Sequence, residues 1–269
     1  MINTTSVPRL FSLEGKLALV TGSSRGLGLA IATALAAAGA KVIINGRNEA
    51  ALAECLEKLR KDFGNVHVSA FDVTHEVSVD KAISEIETNH GIIDILVNNA
   101  GMIKRVPAVD MSVADWEEVV RMDLTSPFII SKRVAKSMIT RGAGGKIINI
   151  CSMMSEIGRG TVSAYAAAKG GLKMLTRNLA VEWAKYNIQV NGIGPGYFAT
   201  ELTKAIRVDG NPFNEFIKRR TPAGRWGDPS DLAGAAVFLA SSASNFVNGQ
   251  IIYVDGGLLA ALGRAEGED

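Results

Sequence analysis

Three side chains in this sequence have the types and the spacing of an acid–base device. Tyr165 and Lys169 stand four residues apart, and Ser152 precedes them on a separate segment. A phenol and an ammonium at positions i and i+4 lie one above the other on a helix face. There the ammonium favours phenolate and brings a hydroxyl that ordinarily titrates near ~10 toward the range of acid–base work. A serine arriving from another element supplies a hydrogen bond that positions a carbonyl or an alcohol between them. The same spacing also describes an amphipathic tyrosine beside a solvated lysine. The surrounding elements decide between the two.

Near the N-terminus an apolar strand over 16–21 ends at Thr21 and runs into Gly22-Ser23-Ser24-Arg25-Gly26-Leu27-Gly28. An alanine-rich helix follows, with Leu27, Ile31, Ala34, Leu35 and Ala38 along one face. The glycines read G-x-x-x-G-x-G, a different spacing from the dinucleotide fingerprint G-x-G-x-x-G. Strand, glycine turn and helix N-terminus in that order set backbone N–H groups against a pyrophosphate.

Strand-like and helix-like segments alternate along the rest of the chain, which predicts a parallel sheet covered on both faces. Strands are expected over 41–45, 66–71, 92–97, 145–151, 188–193 and 251–254. Helices are expected from Asn48, whose stripe is Leu52, Cys55, Leu56, Leu59 and Phe63, and from Thr74, carrying Val79, Ala82, Ile83 and Ile86. Two long helical regions cover 113–140 and 162–184, and Asp228-Pro229 has the form of a helix start. The expected fold class is α/β, a doubly wound parallel sheet in three layers, α/β/α, with residues 1–269 as a single domain. Residues 1–11 form an N-terminal extension and 264–269 a polar, frayed tail. Residues 197–225 break the alternation with a polar stretch carrying Pro212 and Pro222. An insertion after a strand's C-terminal end lies where ligands bind in open α/β sheets. A mobile substrate lid and a packed surface excursion both fit it.

Composition narrows the function classes. The chain has 269 residues, 47% of them hydrophobic, enough for one large core. Twenty-nine basic against 27 acidic residues leave a net charge of +2, without a broad footprint for nucleic acid. Cys55 falls on a helical apolar stripe and Cys151 ends an apolar strand, so both read as buried free thiols of a reducing compartment. The three histidines have no ligand-like spacing, and no metal is expected. No secretory pattern opens the chain, and its most apolar helix is too short for a bilayer. A soluble, cytoplasmic protein is expected, without nucleic acid or membrane partners.

Taken together, T-G-x-x-x-G-x-G, the Asn98-Asn99-Ala100-Gly101 segment, Ser152, Tyr165, Lys169 and Pro195-Gly196 resemble the short-chain dehydrogenase/reductase family. The resemblance runs from about residue 12 to residue 257 and implies a Rossmann-type fold. It implies that Thr21, Gly22, Ser24, Arg25, Gly26, Leu27 and Gly28 meet the cofactor's phosphates and that Asp72 and Val73 flank its adenine. Asn99, Ala100 and Gly101 would support the adenosine half, with Pro195, Gly196 and Thr200 near the nicotinamide. It further implies Tyr165 as general acid/base, Lys169 as the group that lowers its pKa and binds the nicotinamide ribose, and Ser152 as holder of the reacting oxygen. Many members carry an asparagine ahead of the fifth strand as part of a proton relay, where this chain has Asp123. Asp123 is either a relay member or part of a structural cap or kink near Pro127. Members commonly form homotetramers, and the same is expected here.

Cofactor choice can be read from the end of the second strand. An NAD site usually carries an acid there, and this strand ends Asn45-Gly46-Arg47 with no carboxylate before Glu49. Arg47, with Arg25 in the glycine turn, suits a 2′-phosphate, because a guanidinium donates in a planar fork. NADP is expected over NAD. After Gly101, the adjacent cations Lys104 and Arg105 either point to solvent or meet an anion. The segments around 101–107, 150–156 and 191–197 are similar to the gluconate 5-dehydrogenase subgroup of the family. That implies NADP-dependent interconversion of D-gluconate and 5-keto-D-gluconate, with a sugar-acid carboxylate on Lys104 and Arg105. A related sugar-acid or polyol dehydrogenase of the 2-deoxygluconate 3-dehydrogenase type, a 3-oxoacyl-carrier-protein reductase and a non-catalytic NADP-binding sensor remain as alternatives.

Overall fold

The computed structural model describes residues 7–263. The tail expected over 264–269 and the first six residues of the extension lie outside the described residues. After a single turn, α1 (Val7–Leu10), the chain alternates β1 (Leu17–Val20), α2 (Gly26–Ala37), β2 (Lys41–Gly46), α3 (Glu49–Arg60), β3 (Val66–Ala70), α4 (Glu76–His90) and β4 (Ile95–Asn98). The second half runs α5 (Val113–Val120), α6 (Ser126–Arg141), β5 (Gly145–Ile150), α7 (Ser163–Trp183), β6 (Ile188–Pro195), α8 (Pro212–Arg220), α9 (Ala233–Ala240) and β7 (Ile251–Val254). All seven strands are parallel, in the order β3-β2-β1-β4-β5-β6-β7. The direction of winding reverses between β1 and β4, and that switch point opens a crevice at the strands' C-terminal ends.

Strand side chains alternate between two cores because successive Cβ atoms point to opposite faces. Ala18, Val20, Val42, Ile44, Val97 and Ile148 pack with Ile31, Leu35, Leu52 and Leu239 of α2, α3 and α9. Leu17, Leu19, Ile43, Leu96 and Ile147 pack with Val79, Ile83, Ile130, Val134 and Leu179 of α4, α6 and α7. Each buried Val, Leu or Ile among them contributes about 1.5–3 kcal/mol, and the near-continuous apolar strands reflect a sheet covered on both faces.

The long helix expected over 113–140 is divided. Residues Arg121–Thr125 form a π-turn between α5 and α6, in which Ser126 N–H bonds to Arg121 C=O. Pro127 explains the break, since it has no N–H for the Asp123 carbonyl and its ring would press on that oxygen. The extra residue rotates Asp123 into the interior, where it is wholly buried. The stretch 197–225 is also more regular than expected, since it contains α8, capped by Asn211 through bonds to Phe213 and Asn214 N–H.

At the opposite end of the sheet, Lys146 of β5 is buried, with its ammonium on Asn245 Oδ1 at 2.9 Å and no carboxylate partner among the described residues. Burial, aided by Lys16, pulls its pKa from 10.5 down to about 8. A lysine whose folded pKa lies below its unfolded value costs stability while charged. Wild-type stability should therefore rise with pH between about 8 and 10.5. Lys146→Met should remove that slope and stabilise the fold at pH 7 by about 1–2 kcal/mol, allowing for solvent screening. Calorimetric midpoints at pH 7 and pH 10 check this: the gain should be present at the first and nearly gone at the second.

Candidate active site

The crevice at the switch point is a cleft of about 1200 Å³ lined by the loops that leave β1, β2, β4, β5 and β6. Its first wall is the glycine turn. Gly22 has φ +61°, and a Cβ there would stand 2.8 Å from Ala100 Cα. At Gly28 a Cβ would fall 2.3 Å from Asn99 Nδ2 and 2.6 Å from Gly22 O. Both positions therefore require glycine for the turn to lie against the β4 loop. Asn99 closes the contact by donating to Thr21 O at 2.8 Å and Gly22 O at 2.9 Å. Thr21 is buried and accepts from the N–H groups of Asn99 and Ala100. Arg25, at the N-cap of α2, makes no side-chain cap, so the first-turn N–H groups of that helix face the cleft without a side-chain acceptor. Helix dipole and unpaired donors together make an anion site. The cradle fits a dinucleotide's pyrophosphate.

Ser24, Gly26, Leu27, Arg47, Val73, Ala100, Gly101, Pro195, Gly196 and Thr200 line the same cleft. Asn45, which sequence reasoning passed over, locks the end of β2. It accepts from Gly22 N–H at 3.2 Å and donates to Ser69 and Phe71 carbonyls. Arg47 is exposed and 3.7 Å from Asp72. Asp72, expected at the adenine, does not itself line the cleft, and its other oxygen accepts from Thr74 N–H at 2.8 Å. Burial raises the Asp72 pKa, but the Thr74 bonds and Arg47 outweigh it and hold the carboxyl below its usual range.

At the other end, β5 delivers Ser152 and α7 delivers Tyr165 and Lys169 to one wall of the cleft. Ser152 Oγ accepts from Met154 N–H at 3.1 Å, which orients the hydroxyl. Lys169 is buried and donates to Ile150 O at 2.9 Å. Its ammonium lies 5.6 Å from the centre of the Tyr165 ring, as the i, i+4 spacing requires. The π-turn brings Asp123 Oδ2 within 3.6 Å of Lys169 Nζ, an ion pair too long for a direct hydrogen bond. Asp123 Oδ1 accepts from Met102 N–H at 2.8 Å, which ties the pair to the β4 loop. Burial opposes the charge on Lys169, yet Asp123 and Tyr165 outweigh it and hold the ammonium's pKa up. The same burial pushes Asp123 up against the pull of Lys169 and the Met102 N–H. Behind this wall, burial pushes the Cys151 thiol up to about 11, so it is an inert neighbour.

The basic loop departs from expectation. Lys104 turns away from the cleft and is held by Asp115 and Glu118 of α5, so its ammonium is already neutralised. Arg105 lines the cleft and has no acidic partner among the described residues. Arg159, which was not anticipated, also lines the cleft. Of the expected lid, Tyr197, Phe198, Thr200, Glu201 and Thr203 line the cleft, while α8 packs behind them. No helix among the described residues is long and apolar enough to cross a membrane.

Comparison with known proteins agrees with this geometry. The profile of the family described as enoyl-(acyl carrier protein) reductase matches residues 22–259. A 2-dehydro-3-deoxy-D-gluconate 5-dehydrogenase of Formosa agariphila is 60% identical over 265 residues, covering 97% of this chain and 98% of that protein. A 5-keto-D-gluconate 5-reductase of Escherichia coli (strain K12) is 49% identical over 253 residues, covering 94% and 99%. The crystal structure of a gluconate 5-dehydrogenase from Burkholderia cenocepacia J2315, in complex with NADP and tartrate, superposes with a TM-score of 0.90 at 48% identity, covering 95% and 99%. A seven-stranded sheet with its crevice at the switch point, matched along nearly its whole length by dehydrogenases, establishes that this chain belongs to the short-chain dehydrogenase/reductase family and is a nicotinamide-dependent oxidoreductase acting on CH–OH groups.

Proposed function

We propose that the protein interconverts D-gluconate and 5-keto-D-gluconate with NADP, working at the C5 hydroxyl. The observation that carries this reading is Arg105, a guanidinium without a carboxylate partner among the described residues, in the cleft that holds Ser152, Tyr165 and Lys169. An uncompensated cation beside a reaction site suits an anionic substrate. Two relatives at 49% and 60% identity carry names that place their chemistry at carbon 5 of a six-carbon sugar acid. Tartrate, found with NADP in the Burkholderia structure, is itself a small hydroxy acid. A second reading, with 2-dehydro-3-deoxy-D-gluconate as the substrate, is favoured by the 60% identity to the Formosa enzyme.

The nicotinamide supplies the redox chemistry, taking up or giving back hydride. This chain's residues do the rest. Ser152 hydrogen-bonds the reacting oxygen. Tyr165 takes the alcohol proton during oxidation and returns it during reduction. Lys169, kept charged by Asp123, holds the phenolate and anchors the nicotinamide ribose. Asp123 acts through Lys169 and is a positioning residue. Gly22, Gly26, Gly28 and the α2 N-terminus hold the pyrophosphate, and Arg25 and Arg47 the 2′-phosphate. The lid over 197–225 excludes water from the substrate end.

Relative kcat/KM for D-gluconate, 2-dehydro-3-deoxy-D-gluconate, D-sorbitol and an acetoacetyl thioester tests the reading. The two sugar acids should lead, and a leading thioester would refute it. Cofactor choice has its own check. Arg47→Ala should weaken NADP binding by about 1.5–3 kcal/mol and leave NAD binding nearly unchanged, because only the 2′-phosphate loses charged hydrogen bonds. Dissociation constants for both nucleotides decide it, and equal losses would mean that Arg47 does not read the phosphate.

A further inference from the structure

We infer that Arg159 is a specificity-determining residue, the second arm of a two-guanidinium clamp that reads the substrate carboxylate and ties it to the lid; this rests on the sugar-acid reading above. Arg159 belongs to the loop between Ser152 and α7, and Arg105 to the loop after β4. The two loops are stapled together at the mouth of the cleft, where Val106 N–H bonds to Thr161 O at 2.9 Å. Thr161 accepts this with φ +70°, a left-handed conformation that a β-branched residue adopts only under constraint. The strain sits where the two arginine loops meet, next to Val162 at the start of α7.

The Arg159 side chain is held from the lid side. Its guanidinium lies 4.3 Å from the centre of the Phe213 ring of α8, and Nη1 donates to Tyr197 Oη at 3.3 Å. Tyr197 packs edge-on against Phe213 and Trp226, and Trp226 donates to the buried Asn214 of α8 at 2.7 Å. The aromatic face takes one side of the guanidinium. Among the described residues no carboxylate takes its edge. The remaining N–H groups are therefore available to a planar, two-oxygen anion. Lys104 cannot serve in its place, because Asp115 and Glu118 occupy it. A carboxylate on Arg159 would also steady Phe213 and Tyr197, so that substrate charge and lid position are read together.

The experiment compares wild type, Arg159→Gln, Arg159→Lys and Phe213→Leu as NADP-saturated enzyme, with D-gluconate and with D-gluconamide, its uncharged isostere. Wild type should prefer gluconate. Arg159→Gln should raise KM for gluconate about 10–100-fold, the loss of a charged hydrogen bond, with a smaller change in kcat and little change for gluconamide. Arg159→Lys should recover part of the loss, and Phe213→Leu should raise the gluconate KM by a smaller factor. NADP dissociation constants, unchanged across the series, guard against misfolding. If wild type prefers gluconate while Arg159→Gln leaves its KM unaltered, the carboxylate is read elsewhere, and this inference fails while the sugar-acid reading stands. If wild type turns over neither sugar acid, both fail. Equal KM increases for gluconate and gluconamide would also overturn the clamp, because a packing role cannot tell charge from its absence.

Discussion

Tyr165→Phe should abolish turnover, by at least ~10²-fold and up to the ~10⁴-fold range of a positioned acid–base group, while NADP still binds. The ring sits on α7 beside the Lys169 ammonium, and Phe keeps that packing. Only the hydroxyl is lost, and with it the proton's acceptor and donor. Single-turnover rates and a nucleotide dissociation constant separate the two effects. A variant that kept more than about a hundredth of the wild-type rate would remove Tyr165 from the proton transfer.

The second large effect falls on stability as well as rate. Lys169 and Asp123 are both buried and 3.6 Å apart, so removing one leaves the other unpaired in the interior. Lys169→Met should cost about 3–5 kcal/mol of stability. Adding Asp123→Leu should recover much of that stability, because it takes away the stranded carboxylate, and should recover none of the activity. The pH dependence has a definite sign. In Lys169→Met, Asp123 is pushed up by burial with no ammonium to oppose it. A carboxyl whose folded pKa exceeds its unfolded value destabilises only once it ionises, so the penalty should shrink as the pH falls. Denaturant melts at pH 7 and at pH 4.5 check it, and a penalty independent of pH would mean that the two groups do not share a charge.

What could be read in advance, and what could not, follows from the range of each interaction. β1 and β2 were legible because Leu17–Val20 and Val42–Ile44 are apolar runs bounded by polar and turn residues. The glycine turn was legible because Gly22 and Gly28 answer to the close approach of Ala100 and Asn99. The i, i+4 contact of Tyr165 and Lys169 is local, so spacing alone predicted it. Long-range choices were not legible. Lys104 and Arg105 are adjacent, and nothing in their own segment says that α5 will neutralise the first and leave the second. Arg159 was invisible because its partners, Tyr197 and Phe213, lie 38 and 54 positions further along the chain. The π-turn had one available signal, Pro127 four residues after Asp123. That proline allowed a kink to be suspected but not the inward rotation of the carboxylate.

The central claim is that the hydroxyl oxidised is the one on carbon 5 of a six-carbon sugar acid. Uniformly ¹³C-labelled D-gluconate and 2-dehydro-3-deoxy-D-gluconate, each incubated with the enzyme and NADP and followed by ¹³C NMR, test it most directly. A new ketone or hemiketal carbon should appear at C5, in step with reduced cofactor. A new carbonyl at C2 or C3, or no change in either acid by an enzyme that readily turns over an acetoacetyl thioester, would contradict it.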